Sequence, residues 1–233
     1  MGSSETGVPV VVALDGPAAS GKSTVGLAVA RRLGFAFVET GKLYRALAWK
    51  ARAEELPFTD GPALAAAFDR TEVEYRLDQD GPKILVDGRD VTAELSSAEV
   101  AEGASAISAL AEVREVLLPL QRRLARPPGV VVEGRDIGTV VFPDAPYKFY
   151  LDASLEERAR RRARDFAAAG KPVDVAEVER DLAARDARDR GRAAAPLRRA
   201  EDAVLVDTTS RTFDEVVDFI TAAVQAGEGR TAA

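Results

Sequence analysis

The chain has 233 residues, 46% apolar and 30% charged, with a net charge of −6. It contains no cysteine and no histidine, which excludes disulfides, thiol nucleophiles, zinc clips and imidazole bases, and no asparagine, which excludes the guanine-reading N-K-x-D motif. The acidic balance argues against nucleic-acid binding, no run of about 18 apolar residues offers a membrane span, and the polar start Met1 to Pro9 lacks the apolar segment of a signal peptide. One α/β domain with an insertion, or one and a half domains, in the cytoplasm is the expectation.

The first element is the apolar run Val10 to Leu14, which reads as a buried strand. Gly16-Pro17-Ala18-Ala19-Ser20-Gly21-Lys22-Ser23-Thr24 follows and fits G-x-x-x-x-G-K-[ST], the phosphate-cradling P-loop. Val25, Val29 and Leu33 then recur at helical spacing up to Gly34. Strand, glycine loop and helix is the order the chemistry needs. The glycines let backbone N–H groups approach phosphate oxygens, and the helix presents its positive end to the same anion. Lys22 is expected to reach the β- and γ-phosphates of ATP, and Ser23 to hold Mg²⁺. Asp15 and Asp136 are further candidates for the metal through water.

Phe35 to Val38 reads as a second strand, followed by a helix through about Glu54 with Tyr44 and Arg45 early in it, at the strand edge where ligands bind in open sheets. A short helix over Ala63 to Phe68 precedes a switch to period two. Val73, Tyr75, Leu77, Ile84 and Val86 alternate with polar residues, with turns at Asp80-Gly81 and Asp87-Gly88, which predicts an antiparallel meander in an inserted subdomain. Ser96 to Glu99 reads as a capping box opening a helix to Ile107. A second helix carries Val113, Val116, Leu117, Leu120 and Leu124 and ends at Arg126-Pro127-Pro128-Gly129.

Val130 to Val132 predicts a strand that delivers Glu133-Gly134-Arg135-Asp136 to the ligand edge, and Tyr147 to Asp152 another. Ser154 and Glu157 form an expected capping box for a helix bearing Arg158, Arg160, Arg161, Arg162 and Arg164, broken at Gly170-Lys171-Pro172. The next helix starts near Val175 and places Arg185, Arg188, Asp189 and Arg192 on one face, with Arg185 and Asp189 spaced as an i,i+4 pair. A last strand, Val204 to Val206, and a helix capped by Thr212 and Glu215 complete the pattern.

Charge is unevenly spread. Residues 156–200 hold 13 basic and 9 acidic residues, whereas the remainder holds 19 basic and 29 acidic. An arginine-rich region in an acidic chain asks for an anion. Two arginine helices hinged near Gly170 suit a segment that closes over polyphosphate and excludes water. An acceptor that is itself a phosphate monoester needs no general base, since its second pKa is about 6. Arg45, Arg135, Arg185 and Arg192 are the candidates to bind that second phosphate. The residues thus point to ATP plus a phosphorylated acceptor.

From about Val10 to Val224 the chain resembles the bacterial cytidylate kinase family. The resemblance rests on Asp15-Gly16-Pro17 with the P-loop, Thr40-Gly41-Lys42-Leu43-Tyr44-Arg45, Val113-Arg114-Glu115, the block Gly134 to Ala145 (G-R-D-x-G-T-V-V-F-P-D-A) and the block Arg185 to Leu197 (R-D-x-R-D-R-x-R-x-x-x-P-L). It implies a three-layer α/β P-loop fold with a five-stranded parallel sheet over residues 9–226, a CMP-side insertion at 57–110, a mobile lid with flanking helices at 158–192, and flexible tails at 1–8 and 227–233. It also implies a monomer that transfers the γ-phosphate of ATP to CMP or dCMP with Mg²⁺. By the same resemblance Ser105, Arg114 and Asp136 read the cytosine edge, Arg185 and Asp189 hold the ribose hydroxyls, Arg45, Arg135 and Arg192 address the monophosphate or the transferring group, and Thr40 lines the acceptor pocket. Two departures stand out. Glu39-Thr40 occupies a place where the family often has aspartate followed by serine or threonine, and Asp186-Ala187 carries a shorter side chain than relatives often have, expected on the solvent face.

Two other readings compete. One is a P-loop kinase for another small acceptor, such as UMP or shikimate, against which the cytosine-side residues argue. The other is an ATP-binding module without an acceptor, for which the arginine clusters have no use.

Overall fold

The computed structural model describes residues 8–78 and 81–227. The expected tails, apart from Val8 and Gly227, and Asp80 of one expected turn lie outside the described residues. Five strands form the main sheet: β1 (Val10–Asp15), β2 (Ala36–Glu39), β6 (Gly129–Glu133), β7 (Tyr147–Asp152) and β8 (Val204–Asp207), ordered β2-β6-β1-β7-β8 with every pairing parallel. The strands are continuous apolar runs because both faces are covered. Val12, Leu14, Phe37, Val131, Phe149 and Leu151 point to a layer made by α1 (Lys22–Leu33) and α8 (Phe213–Ala226). Val11, Ala13, Val38, Val130 and Val132 point the other way, onto Ile137, Val141, Leu118 and Leu124.

Each of these strands ends in an acid: Asp15, Glu39, Glu133, Asp152 and Asp207. Register brings Glu39 beside Glu133 and Asp152 beside Asp207, so one edge of the sheet is a line of carboxylates. The arginines gather against that edge.

The meander is present as β3 (Val73–Asp78), β4 (Gly81–Val86) and β5 (Arg89–Asp90), antiparallel throughout. With α3 (Gly61–Phe68) and α4 (Ala98–Ile107) it shares a core with α2 (Thr40–Ala53) and α5 (Ala111–Arg123), centred on Leu43, Leu64, Ile84 and Ile107. The meander, α3 and α4 are therefore packed onto α2 and α5. A fourth, small cluster joins α6 (Leu155–Ala168) and α7 (Val175–Gly191) to the P-loop through Ala18, Ala159, Ala163, Val178 and Leu182. This cluster is the smallest of the four.

Local chemistry departs from expectation at two caps and at one ion pair. The cap of α4 is Ser97, whose Oγ accepts from the Val100 N–H at 3.3 Å. Glu94 to Ser96 are drawn into a 3₁₀ turn, so the box predicted at Ser96 and Glu99 does not form. Ser154 caps α6 as expected, but Glu157 reaches Arg161 and Arg164, and the Ser154 N–H is taken by Thr209 Oγ1 at 3.0 Å. On α7, Arg185 and Asp189 are not partners. Asp189 pairs with Arg135 and Arg192, Arg188 faces solvent, and Arg192 lies just past the helix end as its cap. Ala187 is exposed as expected, whereas Asp186 is buried against Arg158 at 2.8 Å. The capping box at Thr212 and Glu215 is complete. Among the described residues no helix is long and apolar enough to cross a membrane.

Candidate active site

β1 runs straight into the P-loop. A Cβ at Gly16, where φ is +147°, would stand 2.0 Å from the Leu151 carbonyl oxygen, so only glycine lets the loop pass β7 this closely. Ala19 and Gly21 also have positive φ, and the non-glycine Ala19 holds a strained conformation of the kind found at ligand-binding loops. α1 begins at Lys22 with no side-chain cap and no acid in its first turn, which leaves its amide groups for an anion. Lys22 is buried; its Nζ donates to the Pro17 carbonyl at 2.7 Å and to Ser20 Oγ at 3.3 Å. Burial, then the Arg135 charge, lowers its pKa to about 7. Arg158, counted in sequence among the lid arginines, is an internal strut: it donates to the Ala153 and Ala18 carbonyls and pairs with Asp186.

Ser23 Oγ donates to Glu133 Oε1 at 3.2 Å. A hydroxyl and a carboxylate at the phosphate end of the loop are hard oxygen donors of the kind Mg²⁺ takes, and among the described residues no larger acidic cluster offers a competing metal cage. The sequence did not single out Glu133. Asp15 and Asp136, the acids the sequence offered for the metal through water, each hold a partner within the protein. Asp15 accepts from the Ile137 and Gly138 N–H groups, both at 2.8 Å, and Asp136 pairs with Arg114. Burial pushes Asp15 up to about 7 despite those two bonds, and burial with Glu133 alongside pushes Glu39 to about 7.

Beyond the P-loop, Thr40, Arg45, Ser105, Arg114, Arg135, Asp136, Arg185, Asp189 and Arg192 all line one cavity of about 80 Å³. Four parts of the chain meet there: the start of α2, the end of α4 with α5, the turn after β6, and the end of α7. Thr40 Oγ1 donates to the Glu133 carbonyl at 2.8 Å, and Arg45 Nη1 to the Leu95 carbonyl at 2.7 Å. Arg114 donates to the Ser108 carbonyl at 3.1 Å, lies over the Tyr44 ring at 5.7 Å, and pairs with Asp136. Arg135 Nε donates to Asp189 at 3.0 Å, and Arg192 pairs with the other oxygen of the same carboxylate. Arg185 differs from its neighbours. Its Nε is buried without a hydrogen-bond partner, and burial followed by the charges of Arg135, Arg45 and Arg162, against the opposing pull of Asp189, lowers its pKa to about 10.

A larger groove of about 1190 Å³ lies between the meander and α5, lined by residues such as Glu72, Tyr75, Glu115 and Arg123. Its charges are mixed and it touches neither the P-loop nor the arginine cluster. The candidate site residues gather in the smaller cavity.

The family model described as Cytidylate kinase matches residues 12–226. Curated relatives carrying that name include one from Symbiobacterium thermophilum, 47% identical over 91% of this chain and 94% of its own. Another, from Desulfitobacterium hafniense, is 47% identical over 90% of each chain, and one from Desulforamulus reducens is 45% identical over 93% of this chain and 97% of its own. Among solved structures, TT1252 from Thermus thermophilus matches at 23% identity and a TM-score of 0.45 over 94% of this chain and 98% of that one, a likeness too loose to argue from. With a P-loop at the edge of a five-stranded parallel sheet and this level of identity along nearly its whole length, the chain belongs to the cytidylate kinase family and is a phosphotransferase.

Proposed function

We propose that the protein transfers the γ-phosphate of ATP to CMP or dCMP, yielding the diphosphate and ADP, as a cytoplasmic monomer of pyrimidine nucleotide metabolism. The observation that carries this reading is Arg185, whose Nε is buried and unpartnered among Arg135, Arg45 and Arg162, so that an anion is the partner the cluster lacks. Beside it, Asp136 and Arg114 offer an acceptor and donors, which suit the N4 amine and the O2 and N3 atoms of cytosine.

The division of labour follows. P-loop amides and Lys22 hold the β- and γ-phosphates. Arg45, Arg135 and Arg192 orient the acceptor phosphate toward the transferring group, Arg185 and Asp189 take the ribose side, Ser105 joins Arg114 and Asp136 at the base, and Thr40 walls the pocket. Mg²⁺, held by Ser23 with Glu133 beside it, supplies neutralisation of phosphate charge when bound. No residue is required as a general base, because the acceptor oxygen is already largely ionised near pH 7. A cavity of about 80 Å³ is well below the roughly 300–1,000 Å³ of a small-molecule site, so the acceptor enters as α7 moves away from the core. The small cluster under α6 and α7 supports such motion.

The test is coupled ADP release with Mg·ATP against CMP, dCMP, UMP, AMP, GMP and shikimate. Turnover with CMP and dCMP well above the other four is expected. ATP binding with no turnover on any of them would overturn the reading in favour of a binding module.

A further inference from the structure

Asp15 is the last residue of β1 and is 4% exposed. Its carboxylate holds two consecutive backbone N–H groups, Ile137 through Oδ1 and Gly138 through Oδ2. Those groups open the π-helical turn Ile137–Val141, whose cap position is Asp136. An aspartate at a cap position ordinarily turns its own carboxylate back onto the first amides of its turn. Asp136 does not. It makes no capping bond to that turn, has φ −146° and ψ 26°, and points to Arg114. The amide it would compete for at Gly138 is already occupied by a second carboxylate, supplied from another strand by a residue 123 positions away.

We propose that Asp15 is a positioning residue for pyrimidine recognition: by capping the turn from β1 it keeps the Asp136 carboxylate aimed at Arg114 and the acceptor base. Asp15 also directly precedes Gly16, so one backbone step links the donor-phosphate loop to the turn that carries Arg135 and Asp136. The two bonds, both 2.8 Å long, fix the turn to the end of β1. The inference rests on the reading of Asp136 as a base-contacting residue.

Asp15→Asn tests it. The amide retains one acceptor and sets an NH₂ donor against an N–H donor, so the turn loses a bond and the Asp136 carboxylate can fall back onto Gly138. The KM for CMP should rise about tenfold or more, and the CMP-over-UMP ratio of kcat/KM should fall about tenfold. The KM for ATP should change much less than the KM for CMP, because the Asp15 side chain bonds the Ile137 and Gly138 amides and reaches the P-loop only through its charge on Lys22. A purely structural role would lower Tm and the active fraction and leave the CMP-over-UMP ratio where it was, which would overturn the proposal. Asp136→Asn is measured beside it, and the double variant should be no less selective than Asp136→Asn alone, since Asp15 acts through Asp136. Independent, additive losses would overturn the proposal. If Asp136→Asn leaves selectivity unchanged, the reading of Asp136 fails first and the inference with it.

Should Asp15→Asn not fold, amide hydrogen exchange in the native enzyme decides the matter. CMP should slow exchange at Ile137 and Gly138 at least about tenfold and a non-hydrolysable ATP analogue should not, as the turn is coupled to the base side. Equal responses to both nucleotides, or none to CMP, would overturn it.

Discussion

Asp189 holds Arg135 with one carboxylate oxygen, at 3.0 Å, and Arg192 with the other, while Arg185 one turn earlier on the same helix goes without it. One buried acid thus neutralises two guanidinium groups from different parts of the chain, the turn after β6 and the end of α7. Both cations press on the Asp189 carboxyl and hold it below the usual carboxylate range in spite of burial. Removing one partner from such a cluster leaves uncompensated charge, which costs more than the pair itself contributes. Asp189→Ala is therefore expected to raise the KM for CMP about 10- to 100-fold, with a much smaller change in the KM for ATP, in steady-state kinetics at fixed saturating co-substrate. An unaltered KM for CMP would reduce Asp189 to a bystander salt bridge.

At the other end of the cavity, Asp136→Asn replaces a pure acceptor by a group that also donates. Cytosine presents an amine where uracil presents a carbonyl, so the asparagine no longer distinguishes them. A correct polar pair is worth about 1–3 kcal/mol of base discrimination. The CMP-over-UMP ratio of kcat/KM should accordingly fall about 10- to 100-fold, much of it through improved UMP turnover. Unchanged selectivity, with the enzyme folded, would take Asp136 out of base reading.

How far these residues were legible in the sequence depended on whether their chemistry was local. The P-loop was legible because a strand, a glycine turn and a helix lie in one continuous stretch. Arg135 was legible because polar residues after a buried strand must reach the ligand edge. Arg185 and Arg188 were not separable by spacing, since both lie on one arc of α7; only packing turns the first inward and leaves the second in solvent. Ser105 and Arg114 look like ordinary helix-surface residues, and family resemblance alone singled them out. Glu133 and Asp15 were missed as acids with partners because those partners, Ser23 and the Ile137-Gly138 amides, are 110 to 123 residues away. One signal was available: every parallel strand ends in an acid, which marks the edge where cations and phosphates must meet. The misplaced cap at Ser96 had no such signal, because two adjacent serines fit the pattern equally and the 3₁₀ turn before α4 chose the second.

Arg185→Met addresses the anion reading without turnover. In the wild type, pyrophosphate should raise Tm by mass action, since it binds the folded protein at the P-loop and at the arginine cluster; at 100 times Kd the gain is about 2.7 kcal/mol per site. The variant should lose the weaker, cluster-dependent part of that gain and keep the P-loop part in differential scanning fluorimetry. An identical pyrophosphate response in the two proteins would show that Arg185 does not contribute to anion binding.

Lys22 joins function to stability with opposite signs. Burial, then Arg135, lowers its pKa to about 7, against 10.5 in the unfolded chain. Between those values the unfolded chain binds a proton that the folded protein does not, so the contribution of this group to stability rises with pH from about 7 to 10.5. Below pH 7 both states are protonated and the folded protein bears the whole cost of a buried cation. Lys22→Met removes that cost. Its Tm should exceed that of the wild type at pH 6 by roughly 4–8 °C, about 2 kcal/mol for a chain of this length, and the difference should shrink as pH approaches 10. Turnover at pH 7 and below, where Lys22 carries its charge, should fall by about 10²- to 10³-fold, as expected on losing one charge-stabilising donor. A Tm difference independent of pH would assign the effect to packing of the methionine instead of relief of charge. A lower Tm at pH 6 would mean that the bonds from Nζ to Pro17 and Ser20 outweigh the burial of the ammonium group, and the loop would then be held together by the same cation that serves the phosphates.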